Sequence, residues 1–377
     1  MNLRQFFSDP AISLPIIRSS NDFQGFVDGL LETFLNKIGQ LVTPIEVVER
    51  IQSQRLTIEG FCKAAKELVR ATLAGHPRDA YQHFESGITP LVPTLLRQEL
   101  TNVDTDMLGV RYRVRPHTGG MLTREGLFHI PFESRHLVKT QRYSIPGLPC
   151  LYLGGSLYTC WAEMGRPPFH ELHAAAFWLN PSDNLKILNL GNRPARLLLY
   201  LNPEGDSNNT MYDLLATHIS LWLLLALCSI KTLHREAAFK PEYILPQIVL
   251  QWITKEHTFD GLCYFSTHVE AVTKEPLPPC NLVFPARAIK PQGRCARLRE
   301  LFKMTDPHQW ELLRAVNIGE GTERGTIPTF QFEFINGRTE WYHKTDFGNV
   351  QQKLNSLAHE IRRRNAMGEP DLGTVAE

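Results

Sequence analysis

The chain has 377 residues, enough for two domains or for one large domain with an extension. Its apolar share of 43% and charged share of 21% are those of an ordinary soluble globular protein. Lys and Arg number 40 against 39 Asp and Glu, so no global field draws the chain to nucleic acid or to an anionic membrane.

The opening "MNLRQFFSDPAISLPII" has no basic stretch followed by a clean apolar one, so no secretory leader is expected. Residues 21 to about 100 read as helices. "DFQGFVDGLLETFLNKI" spaces Phe23, Phe26, Leu30, Leu31 and Phe34 at helical intervals. "TPIEVVERIQSQRL" opens with Thr43-Pro44, a cap followed by proline at the first helical position. "TIEGFCKAAKELVRATLAG" runs to Gly75, a candidate C-cap, and "PRDAYQHFESGI" starts again after Pro77. No strand signal falls in this region, so an all-α domain is expected over 1–105.

From about residue 108 the texture changes. "GVRYRVRP", "GLFHIPF", "LPCLYLGG", "ELHAAAFWL", "LKILNLG", "GLCYFST" and "NLVFPA" are short aromatic or β-branched runs set between Gly, Pro, Asn and Asp, and read as strands. Helices are expected over 211–236, with Asn209 or Thr210 as cap, and over 241–257, with Ile244, Ile248 and Trp252 on one face. The apolar run 214–230 reaches the short limit for a membrane span but carries His218, Ser220 and Ser229, which favours a buried core helix. Asn336-Gly337 between two alternating runs signals a hairpin, followed by a helix over "FGNVQQKLNSLAHEIRRRN" and a frayed tail beyond Met367. Strands and helices mix without regular βαβ alternation, so residues 106–377 are expected to form an α+β domain.

Several chemistries are set aside. The seven cysteines are scattered and none forms a C-x-x-C pair, so neither a disulfide framework nor a zinc site is indicated, and a reducing cytoplasm is the simple reading. "FHELH" is one residue short of the H-E-x-x-H zinc helix, and on a strand His170 and His173 would face opposite ways. There is no G-x-G-x-x-G after a strand, no P-loop and no G-x-S-x-G elbow. Arg78 and His83 form an R-x4-H pair on an expected helix, similar to the motif of HEPN-type ribonucleases; a solvent-facing pair is the plainer reading.

One stretch concentrates polar chemistry: "QRYSIPGLPCLYLGGSLYTCWAE", residues 141–163, ends in a lone carboxylate, Glu163, behind an apolar helix. Taken in order, "YRV" (112–114), this stretch, "FDGLCYFST" (259–267) and "NLVFP" (281–285) resemble the RES domain family. That family's pattern is an early Arg, a Gly-Arg-aromatic-Asn run before a Pro-Gly turn, a Tyr-bearing strand, a Glu-ended helix and a late Ser after Asp-Gly. The resemblance covers roughly half of the chain, and the helical region ahead of it resembles the HEPN-type N-terminal domain of some members.

The resemblance implies an α+β, ADP-ribosyltransferase-like mixed-sheet core and a protein that acts on NAD. Many members are the toxin half of bacterial toxin–antitoxin pairs. Some hydrolyse or phosphorolyse NAD, with inorganic phosphate as second substrate, and others are similar to transferases that modify a host protein. It therefore implies NAD as substrate and no metal, with an antitoxin as partner. Neither nucleic acid nor membrane is implied as a partner, and the location is cytoplasmic. An inactive NAD- or protein-binding module is the reading outside enzymology.

By the same resemblance Glu163 is the catalytic carboxylate, Arg113 and Arg142 hold the pyrophosphate, Tyr152 meets nicotinamide or ribose, and Ser266 orients Glu163 or the ribose. Tyr143, Ser144 and His129 complete the expected ligand contacts. The chemistry suits these residues. Breaking the nicotinamide–ribose bond expels a neutral pyridine and builds positive charge on the ribose, which a fixed carboxylate stabilises. A forked guanidinium suits a phosphate. Plainer readings stand beside these: a solvated helix glutamate for Glu163, a polar strand face for Arg113, a core tyrosine for Tyr152 and a buried structural ring for His129. Ser144 departs from the family's Asn and lacks the amide's two donors.

Overall fold

Asp22 accepts the N–H of Gly25 and so starts the first long helix where the apolar periodicity begins. The computed structural model describes residues 1–97, 109–180, 185–191, 209–269, 280–316, 331–335, 338–369 and 373–375. The elements used below are, in chain order, helices α1 (Phe23–Gly39), α2 (Ile45–Ser53), α3 (Arg55–Leu73) and α4 (Pro77–Ile88), strands β1 (Arg111–Pro116) and β2 (Cys150–Leu153), and helix α5 (Leu157–Glu163). Then come β3 (Leu172–Leu179), α6 (Asn209–Cys228), α7 (Ile244–Glu256), β4 (Gly261–Phe265), β5 (Cys280–Pro285), β6 (Phe302–Met304), β7 (Gln331–Ile335), β8 (Arg338–Trp341) and α8 (Asp346–Ala366). The mixture of helices and mixed sheets is the α+β class expected from the sequence.

These elements form two compact units whose segments interleave along the chain. One comprises Met1–Glu99, Gln141–Ser144 and Leu188–Glu256; the other comprises Leu100–Thr140, Ile145–Ile187 and His257–Glu377. A single cut at residue 105 follows the sequence texture, whereas the compact units cross that cut twice.

The helical unit is α1–α4 with α6 and α7. Phe34 of α1 stacks on Trp222 of α6 with centroids 4.6 Å apart, and the indole donates to the Ile12 carbonyl at 3.0 Å. Phe84 of α4 meets both Phe61 of α3 and Trp252 of α7 edge-on. α6 is long and apolar enough to cross a membrane, but 78% of its Met211–Cys228 window is buried. It stops at Cys228 rather than near 236, because the chain turns out to pair Lys231 with Ile17 and donate the Lys231 N–H to the Ile16 carbonyl. Pro44 rather than Thr43 is the N-cap of α2, so the helix starts one residue later than expected, and Gly75 closes α3 with φ of +82° as a C-terminal glycine should.

Among the described residues the other unit carries two larger sheets, besides the pair β7-β8. The first has the order β1-β3-β6, with Arg113 opposite Ala175. The second has β2-β5-β4 as neighbours, with Tyr152 opposite Val283 and Tyr264 opposite Asn281. Tyr112 and Gly154 exchange both backbone hydrogen bonds, at 2.9 and 2.7 Å, so β1 also abuts the end of β2. Leu151, Leu153, Ala175, Phe177, Leu282 and Phe284 share one core. On the other face of the first sheet, Tyr112, Ala174, Ala176 and Trp178 pack with Leu157 and Tyr158 of α5 and with Phe347 and Val350 of α8. β7 and β8 pair as the expected hairpin, and its Asn336-Gly337 turn lies outside the described residues.

Two expectations are corrected. "GLFHIPF" is not a strand: Thr123 caps a short helical turn over Arg124–Leu127, and Phe132 begins a 3-10 helix, with Leu127, Phe128 and Phe132 buried in the core. The tail is not frayed throughout, since Gly373 accepts the Met304 N–H at 3.0 Å and Val375 is buried.

One buried ion pair is testable. Arg18 and Glu242 meet at 2.8 Å with side chains only 4% and 1% exposed, and Glu242 also accepts the Leu233 N–H. Glu242→Ala leaves Arg18 charged and buried, and is expected to lower unfolding free energy by about 3–5 kcal/mol in a urea titration. A loss under about 1 kcal/mol would show the pair to be dispensable.

Candidate active site

Ser156 starts α5, accepting the Thr159 N–H at 3.1 Å while its hydroxyl meets that of Thr159 at 2.9 Å. Gly154, just ahead, has a reason beyond its turn: a Cβ there would stand 2.3 Å from the Cys160 sulfur. The Cys160 thiol in turn donates to the Tyr112 carbonyl, which ties the helix to β1. Gly165 and Arg166, with φ of +81° and +59°, end the helix immediately after Glu163. The carboxylate therefore stands at the last helical position, where the peptide dipoles disfavour it.

What holds it there is a pair of neutral donors. The Ser266 hydroxyl donates to Glu163 Oε1 at 2.6 Å and Asn281 Nδ2 donates to the same oxygen at 3.1 Å. Both donors are buried, at 1% and 4% exposure. The second oxygen, Oε2, lies 3.8 Å from His268 Nε2, and these two side chains are 29% and 28% exposed. The His268 N–H donates to the Ser266 hydroxyl at 3.1 Å, which sets the loop leaving β4. Asn281 Oδ1 is buried without a hydrogen-bond partner among the described residues.

The register adds the aromatic side of the site. Paired residues on antiparallel strands point to one face, so Tyr152, Val283, Asn281 and Tyr264 share the face that meets Glu163. Burial, then the nearby Cys150 and Tyr264, push the Tyr152 phenol well above its ordinary range, so it stays neutral. A buried neutral carboxamide, a hydroxyl, two phenols, an imidazole and one carboxylate together make a site for a polar ligand with a developing positive centre.

The structure thus brings together Glu163 and Ser266 as expected, and puts Tyr152 on the face of their partner Asn281. The other expected residues are committed elsewhere. Arg113 donates from Nε to the Leu127 carbonyl at 2.7 Å and from Nη1 to the Tyr152 carbonyl at 3.0 Å. Desolvation and the neighbouring Arg115 pull its pKa down to about 10, which leaves it charged at neutral pH. Arg142, Tyr143 and Ser144 belong to the helical unit. Arg142 donates to the Cys228 carbonyl at 3.3 Å and lies over the Tyr243 ring, while Ser144 exchanges hydrogen bonds with the backbone of Gln141. Asn281, His268 and Tyr264 were not singled out in the sequence. Asn281 and Tyr264 sat inside quoted motifs, and two-residue alternation along "GLCYFST" would have paired Tyr264 with Ser266 on one face.

No group of three or more His, Cys, Asp or Glu among the described residues is arranged to hold a metal ion. No family model matches the chain, and no solved structure matches it. The chain is similar to a Bacillus subtilis (strain 168) protein named "Putative toxin YopC", with 30% identity over 351 residues, covering 90% of this chain and 78% of the relative.

His129 is a structural ring. Its Nδ1 donates to the Ile130 carbonyl at 2.8 Å, and its Nε2 accepts the Cys295 N–H at 3.0 Å, so the ring has no site for a second proton. Burial lowers its pKa from 6.5 to about 4. The stability it contributes is intact above pH 6.5 and is lost as pH falls towards 4, because the unfolded chain takes up the proton first. The full effect is about 3 kcal/mol. His129→Gln should flatten the fall in unfolding free energy between pH 7 and 4 by about that amount, and parallel wild-type and variant profiles would refute the assignment.

Proposed function

The chain belongs to the family of YopC, and from that premise we propose that it is a toxin that breaks the nicotinamide–ribose bond of NAD. The observation that carries this reading is the fixed carboxylate: Ser266 and Asn281 hold Glu163 Oε1, while Oε2 lies 3.8 Å from His268 Nε2 and the side chain is 29% exposed. A glutamate that served only solubility would have no use for two buried donors from adjacent strands. The ordered motifs that resemble the RES family support the choice of substrate.

The geometry performs the reaction through charge. The C–N bond to nicotinamide breaks with its electron pair on nitrogen, and the ribose carbon becomes oxocarbenium-like. A carboxylate held in place by neutral donors keeps its charge for that carbon, and needs no reorganisation as the charge develops. Tyr152 and Tyr264 put phenol rings on the same face for nicotinamide or ribose. Arg113 is half-buried and spends its Nε and one Nη1 hydrogen on the Leu127 and Tyr152 carbonyls; its remaining N–H groups suit a phosphate.

Incubating the purified chain with NAD, with and without phosphate, should release nicotinamide together with ADP-ribose or its 1″-phosphate, as read by mass spectrometry. Glu163→Gln is expected to slow NAD loss by about 10²- to 10³-fold. NAD left intact under every condition would end this reading, and a fully active Glu163→Gln would remove the carboxylate from it.

A further inference from the structure

The two oxygens of Glu163 face different surroundings, and the difference assigns a second reacting group. Oε1 is closed off by Ser266 and Asn281. Oε2 is flanked by His268, and both side chains are partly open to solvent. A separation of 3.8 Å between Nε2 and Oε2 is too long for a direct hydrogen bond. An oxygen seated between them, about 2.8 Å from each, would touch both. We propose that His268 accepts the proton of a small hydroxyl nucleophile, in the simplest case water, as that oxygen attacks the ribosyl carbon.

This inference rests on the NAD-cleaving reading. A neutral oxygen that bonds to a cationic carbon must shed a proton, and the described side chains around Glu163 offer few acceptors. Ser266 is already donating its proton to Glu163, the Asn281 amide is not basic, and Tyr152 keeps its proton at neutral pH. Glu163 itself is committed to the ribosyl charge. An imidazole takes and returns a proton near neutrality. The balance is complete without an added reactant. The C–N bond breaks and its pair leaves on nicotinamide; the C–O bond forms; the proton passes from oxygen to His268 Nε2 and then to solvent. NAD and water become nicotinamide, ADP-ribose and one proton. The imidazolium formed midway lies beside Oε2, which stabilises it. The His268 backbone is tied through its N–H to the same Ser266 that orients Glu163, so one hydroxyl sets both groups.

The test compares the full-length wild type with His268→Gln and His268→Asn, with water alone and with added azide, an anionic nucleophile that has no proton to lose. With water, kcat should fall about 10²-fold in both variants, and KM for NAD should stay within about threefold. Azide should restore turnover and give ADP-ribosyl azide by mass, which also shows that the variants are folded. An active wild type with unchanged variants, with a loss confined to KM, or with no azide rescue overturns the role of His268 alone. An inert wild type overturns both this role and the reading it rests on.

Discussion

The clamp on Glu163 Oε1 depends on the register of two strands. Ser266 comes from the end of β4 and Asn281 from the start of β5, and only the pairing of Tyr264 with Asn281 brings both donors to one oxygen. A slip of one residue would turn Asn281 to the opposite face and send Leu282 towards the carboxylate. The register is in turn held by the core on the other face, where the same slip would turn Leu282 and Phe284 away from Leu151 and Leu153. The chemistry of one face is therefore fixed by the hydrophobic burial of the other.

Several local rules are broken close to this clamp. A carboxylate ends a helix against its dipole, Arg166 takes a left-handed backbone conformation, and Asn281 Oδ1 is buried without a partner among the described residues. Each costs stability where it stands, and such conflicts gather where a site must meet a ligand rather than satisfy itself. Arg18 and Glu242 show the opposite case. That pair is buried as deeply as the site donors, yet the guanidinium also donates to the Ser20 and Asn21 carbonyls and the carboxylate accepts the Leu233 N–H. A network closed in this way has structural work only.

Much of the architecture was legible from period and punctuation. Helical spacing found α1 with its apolar face, Pro77 marked the start of α4, and Gly75 marked the end of α3. Strand-like runs found β1 to β5 because alternation or continuous burial survives in their composition. "GLFHIPF" misled because its aromatic residues serve a core reached by a capped turn, and burial alone does not distinguish a turn from a strand. The tail looked polar and small, yet Val375 is buried in the core with Phe302 and Met304, and Gly373 accepts the Met304 N–H. The site was half legible. Glu163 and Ser266 could be named from an ordered motif, but Asn281 and His268 enter through strand register and a backbone hydrogen bond, which have no signature in one sequence. Arg142 shows the converse: an arginine in the expected position whose guanidinium is taken up by the end of α6 and the Tyr243 ring.

The interleaving of the two units bears on what the family shares. A cut near residue 105 suggests a helical domain that could be added or lost at one end. In the fold, the helical unit also takes residues 141–144 and 188–256 from within the sequence that builds the sheets. An alignment covering nine-tenths of the chain must run through most of both units, so the relative carries counterparts of each. The segment that ends in Glu163 and the one that begins β4 are separated in sequence by the α6 and α7 helices. Ser266 reaches Glu163 across 103 positions of chain, so the site forms only once that long insertion has been accommodated. The carboxylate and its donors are thus products of the completed chain rather than of a detachable sheet domain.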